Sequence, residues 1–202
     1  MLRIGSVVAL LVVHTTTVAL AMQSPLNVST KNGTALERRG QEQIERLVRD
    51  YEIAQWMFTQ DVIVESRVIP HSHPVLTVNT QYIDDDVSQM ATLLHEQFHW
   101  PVSLAEERRE AAIADFRRMF PNAPDRSGQG ARDQYSTYLH FIVCDLEFQS
   151  VTALVGEAKA REILAGYDHY EWIYERVLTD PRIREVNERH GFTAQEMRAA
   201  NH

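Results

Sequence analysis

Between Gln134 and Val155 the chain is apolar on nearly every side of a helix. Leu139, Phe141, Ile142, Val143, Leu146, Phe148, Val151 and Leu154 cover most of the circumference. A helix of that composition has no face for water, so the remaining elements have to be wrapped around it. On one stripe of this run stand His140, Val143, Cys144, Glu147 and Val151, at the three- and four-residue spacing that shares a helix face. A carboxylate carried into such a layer is costly unless a cation meets it. The run therefore asks for a partner to Glu147.

His95-Glu96-Gln97-Phe98-His99 supplies the means. Two histidines four apart lie one above the other on a helix, so both imidazoles reach one metal ion, which would in turn be the cation beside Glu147. The local sequence predicts a helix over about 87–99. Asp84-Asp85-Asp86 favours a helix start, with Gln89 as in a capping box. Val87, Met90, Ala91, Leu94 and Phe98 form the apolar face, and Pro101 places the end just after His99. The competing reading is a surface helix with two ordinary histidines, but caps, stripe and ligand spacing agree on the metal.

The motif and its helix resemble the zincin superfamily of zinc metallopeptidases, and a third ligand from a later helix resembles its glutamate type, the gluzincins. The resemblance implies an α+β, zincin-like fold, with a small antiparallel β element followed by a mainly helical part. It implies Zn2+ held by His95, His99 and Glu147, and Glu96 as the base that activates water against a peptide or amide bond. The best-known gluzincins carry that glutamate in a short motif nearer the histidines, whereas here an extra helix intervenes. Trp100-Pro101 excludes the metzincin continuation. His140 is either an alternative ligand or a catalytic stabiliser of an oxyanion beside Glu147. Tyr170 or Tyr174 is a candidate oxyanion donor. Against these stand a core His and Glu bonded to each other or to Arg side chains, and a tyrosine cluster that packs the C-terminal helix. Cys144 reads as a small buried hydrophobe rather than a thiolate ligand. The two helices also resemble a group of uncharacterised bacterial exported proteins with a His-Glu-Gln-x-His-Trp helix, which brings no activity with it.

The rest of the chain sets the frame. Residues 1–21 read as a signal peptide: Met1-Leu2-Arg3, an apolar run from Ile4, then Ala19-Leu20-Ala21 before the expected cleavage site. This implies a secreted or periplasmic protein. Polar residues 22–40 read as a flexible leader, and 41–202 as a single domain whose first stretch, 41–51, fits an amphipathic helix or a short strand-leading segment. A net charge of −8 argues against a nucleic-acid partner. A single cysteine excludes an intrachain disulfide. Past the first 21 residues no stretch is expected to span a bilayer.

The β-branched runs 61–69 and 74–80, joined by Pro70-His71-Ser72-His73-Pro74, predict a hairpin feeding the motif helix, with one strand available to pair with an extended substrate. His71 and His73 read as turn residues rather than ligands. Ser103 and Glu106 suggest a capping box for a helix reaching about Phe120. Residues 121–132 suggest a surface loop, with a mobile lid as the alternative, and Thr193 and Glu196 suggest the cap of a last helix. The function expected is zinc-dependent hydrolysis of a peptide or protein substrate. The alternative is a non-catalytic exported protein whose zinc site serves stability or binding.

Overall fold

The computed structural model describes residues 26–201, so the expected signal peptide lies outside the described residues. Three strands, β1 (Asn27–Thr30), β2 (Asp61–Val64) and β3 (Leu76–Val78), form a sheet in the order β1-β2-β3. Both pairings are parallel, with Val28 opposite Val62 and Ile63 opposite Thr77. The antiparallel hairpin expected from 61–80 is therefore corrected. Leaving β2, the chain turns back at Ser66, whose N–H donates to Glu37, and at Arg67, which adopts a left-handed φ of 66°. It then re-enters the sheet in the same direction. Only one antiparallel bridge marks the anticipated turn: His71 and Thr77 exchange bonds of 3.0 and 2.8 Å on the outer side of β3. Val62, Val64, Leu76 and Val78 are all fully buried and lie on one face of the sheet, which is turned to the core.

The leader expected over 22–40 is also corrected, because β1 and most of the first turns of α1 (Ala35–Asp50) fall inside it. Its polar residues are committed to local structure. Thr34 caps α1 in a full capping box with Glu37. The buried Glu37 carboxylate accepts from Asn32 N and Nδ2, Thr34 N and Ser66 N, all at 3.0–3.1 Å. One polar knot thus joins the end of β1, the start of α1 and the loop after β2.

α2 (Asp86–Leu104) starts at Asp85, whose side chain accepts from Val87 N and Ser88 N. It continues through Pro101, past the end expected at His99. Proline removes one ladder bond, and the next turn is held by Ala105 N donating to Pro101 O and by burial of Val102. Ser103 thus lies within α2, and α3 (Glu106–Met119) begins at Ala105 with no side-chain cap in place of the expected Ser103–Glu106 box.

α4 (Gln134–Val155) is the axis of the helical part, packed by α2, α3, α5 (Glu157–Ala165), α6 (Glu171–Thr179), α7 (Pro181–Arg189) and α8 (Ala194–Ala200). α8 carries the expected Thr193–Glu196 capping box. Contrary to the sequence expectation, α4 is long and apolar enough to cross a membrane, but two thirds of that stretch is enclosed by its neighbours. Between α3 and α4 the loop expected at 121–132 is fastened rather than loose. Gly130 N donates to Asp125 O at 2.8 Å, and a Cβ at Gly130 would come within 2.2 Å of the Pro124 carbonyl oxygen.

Candidate metal centre

The packing of α2 against α4 brings three imidazoles together. His95 and His99, one turn apart on α2, meet His140 of α4 with ring centroids 5.2, 5.5 and 5.2 Å apart. One nitrogen from each lies within 4.8 Å of the others. His95 and His140 are buried, and His99 is half-buried. Two of the ring orientations are set from outside the triangle. His140 donates from Nδ1 to Ser136 O at 2.6 Å, and His95 donates from Nδ1 to Glu147 Oε2 at 2.9 Å. With the protons on Nδ1, each ring keeps its Nε2 lone pair for a ligand. Burial pushes the His95 imidazole down to about 4 and that of His140 down to about 3. It also drives His99 well below its ordinary value. All three are therefore neutral near neutral pH, the state in which an imidazole binds a metal.

Glu147 comes to this centre from α4, almost fully buried, as its helix stripe suggested. Its Oε2 accepts from Tyr174 Oη at 2.8 Å and from His95, while Oε1 is buried without a partner. Glu96 is buried on the cleft side of α2. Desolvation pushes both carboxyls up to about 8, and for Glu96 the charge of Glu147 adds to it. Among the described residues neither carboxyl forms an ion pair with Lys or Arg. Three neutral imidazoles beside two carboxyls without a cation are a donor set that a divalent ion completes.

The side chains within reach of a metal ion fall into two groups, His95–His99–His140 and His95–Cys144–Glu147. His95 belongs to both, and in the second it meets Glu147 through Nδ1. Cys144 is fully buried and its thiol is pushed well up by desolvation, so it packs as a small hydrophobe at neutral pH.

Of the tyrosines considered in the sequence, Tyr174 is buried in the cleft wall with its hydroxyl donating to Glu147. Tyr170, at the N-cap of α6 with a left-handed φ of 53°, sets its ring 4.4 Å from His140 and lines the cleft. Burial pushes its phenol up to about 12, so it stays a donor. His73 stacks on Trp100 at 4.3 Å, and His71 is engaged with the Ile69 carbonyl.

The cleft over His95 and Glu96 measures about 480 Å3. Its walls include Val68, Ile69, Tyr82, Arg126, Tyr167 and Tyr170. Sequence reasoning had no means of finding Arg126, which enters from the loop between α3 and α4, or Tyr82, which stands before α2. Neither sits in a periodic stretch. Ser136 acts through its backbone carbonyl, which no residue type announces. Compared with models of known protein families, with curated proteins and with solved structures, the chain matches none.

Proposed function

We propose that this protein is a zinc-dependent hydrolase of peptide or amide bonds, with His95, His99 and His140 holding the ion and Glu96 as general base. The observation that carries the reading is the triangle of three neutral imidazoles, one of which, His95, lines a cleft together with Glu96. Zinc bound there would supply Lewis acidity, polarising a carbonyl and bringing the pKa of a water toward about 7.

The chain's own groups do the rest. Glu96, whose carboxylate form a bound cation would restore against the burial that raises it, takes a proton from the attacking water and returns it to the leaving amine. Tyr170 Oη donates to the carbonyl oxygen as charge develops there. Glu147, braced by Tyr174, holds the His95 ring and its Nδ1 proton in place. That assigns Glu147 an orienting role in place of the ligand role the gluzincin resemblance implies, and gives the third ligand position to His140. Three protein ligands leave a position open, which favours catalysis over the rival reading of a closed zinc site kept for stability or binding. The apolar N-terminal run supports export, and the net charge of −8 favours a peptide substrate over a nucleic acid.

The test pairs metal content with turnover on a peptide library. The parent should hold one equivalent of zinc and cleave. Glu96→Gln should keep the zinc and lose about 10²–10⁴ in rate, since the amide cannot accept the proton. Equal rates for the two proteins would remove Glu96 from the chemistry.

A further inference from the structure

Arg126 is the one lysine or arginine among the described residues that line the cleft, and it forms no ion pair among them. Its neighbours in the wall are acids with other attachments. Glu171 accepts from Gln129 Nε2 at 2.6 Å, and Asp168 lies 3.6 Å from His169 Nδ1. The position of Arg126 is built. Asp125 Oδ1 accepts from Ser127 N at 2.9 Å and from Ser127 Oγ at 2.6 Å, closing the short 3-10 turn Arg126–Gly128. Gln129, in a left-handed conformation, accepts at its carbonyl from Trp172 N at 3.3 Å, which ties the turn to the start of α6 beside Tyr170. Thr137 Oγ1 donates to Pro124 O at 2.7 Å and accepts from Ala131 N at 2.8 Å, anchoring the loop to α4. The loop thus carries an exposed guanidinium to the mouth of the cleft over the candidate metal centre.

A guanidinium in that position matches a carboxylate, which it binds by two parallel N–H···O bonds. The same cleft offers Val68, Ile69, Tyr82 and Tyr167 to an apolar side chain, and its volume of about 480 Å3 is that of a small-ligand pocket rather than a channel for a long chain. We propose that Arg126 receives a free carboxylate of the substrate. The cleft then takes the carboxyl end of a peptide, or an N-acylated amino acid, with a large apolar side chain. This rests on the hydrolase reading of the centre.

Binding and turnover separate the two ideas. Zinc-loaded Glu96→Gln protein is titrated calorimetrically with N-acetylphenylalanine and with N-acetylphenylalanine amide. The acid should bind at least about tenfold tighter. Adding Arg126→Gln should bring the acid down to the amide at unchanged zinc content, and Arg126→Lys should recover part of the difference. Equal binding of acid and amide, or no binding of either, overturns the proposal. So does an advantage of the acid that survives Arg126→Gln, since the carboxylate would then be binding the metal. With the parent enzyme, peptides cut equally well with blocked and free carboxyl ends would overturn the substrate assignment and leave the hydrolase standing. A carboxylate preference in binding without any turnover would overturn the hydrolase alone.

Discussion

Asp145 and Glu147 stand two residues apart on α4, both almost fully buried, and the chain treats them in opposite ways. Asp145 faces α7 and is saturated. Arg184 meets it through Nε and Nη2 at 2.8–3.0 Å, Asn187 Nδ2 donates at 2.9 Å and Gln149 Nε2 at 3.1 Å. Glu147 faces α2 and α6 and receives only a phenol and an imidazole, with one oxygen left over. A carboxylate that the fold needs for its own cohesion is given a cation and a full set of donors. One kept short of both is poised for something that arrives from outside. On the proposed function, the difference separates a structural from a functional acid on a single helix.

The largest effect should come from the functional side. His140→Ala is expected to lower zinc affinity by at least about a thousandfold, because two remaining imidazoles rarely hold the ion. His95→Ala or His99→Ala should do the same. Competition with a chromophoric chelator measures it. If His140→Ala binds as the parent does while Glu147→Ala loses the metal, the assignments of the two residues are reversed and the group containing Glu147 and Cys144 holds the ion.

On the structural side, Asp145→Asn should destabilise the protein by about 2–3 kcal/mol, with and without zinc alike. Breaking a buried pair costs about 3–5 kcal/mol, and the roughly one-third exposure of the Arg184 side chain lets water recover part of it. Urea melts of the chelated and the zinc-loaded protein test this. A loss confined to the zinc-loaded protein would join Asp145 to the metal centre and erase the contrast.

Glu147→Gln should do the reverse, and by less. Burial raises the parent carboxyl to about 8, so its charged form is penalised in the metal-free protein once the pH passes the ordinary carboxyl value. A neutral amide escapes that penalty and still offers an oxygen to Tyr174 and His95, so the metal-free variant should melt at or above the parent near pH 7. Its zinc affinity should fall about 10–100-fold, the usual cost of losing the carboxylate behind a ligating histidine. A loss of three orders or more would make Glu147 a ligand.

Much of this contrast can be traced to what spacing encodes. His95, Glu96 and His99 are legible because a helix fixes which side chains share a face, and His140 and Glu147 are legible as one stripe of a helix with no polar side. The direction of β3 was not legible, because alternation and β-branching are the same for parallel and antiparallel strands, and the reversal at Ser66 depends on a carboxylate distant in sequence. The choice between His140 and Glu147 was equally hidden. Both lie on the stripe, and only the rotation of α4 against α2 decides that one imidazole enters the triangle while the carboxylate reaches the back of His95. Arg126 depended on a loop whose course is set by Gly130 and Thr137, tertiary contacts that no local pattern carries.

The smallest effect tests the contrast far from the metal, at Glu37. This carboxylate is buried with its residue, yet it is held down at about 2 rather than raised, chiefly by the Asn32 side chain and with help from the backbone N–H groups of Asn32, Thr34 and Ser66. A carboxyl whose folded value lies below its ordinary value near 4.5 contributes stability that is fully present above about pH 4.5. That contribution is lost as the pH falls toward 2. Glu37→Gln cannot carry the charge, so the parent should melt higher than the variant at pH 5. The gap should narrow steadily through pH 3.5 and shrink to a minor part of its pH 5 size by pH 2.5. Zinc should leave the gap at pH 5 unchanged, whereas for Glu147→Gln it should move the difference in favour of the parent. A gap at Glu37 that stayed constant down to pH 2.5 would mean that the knot holds a shape and not a charge, and donors alone would then fail to explain why one buried glutamate is held down and another raised.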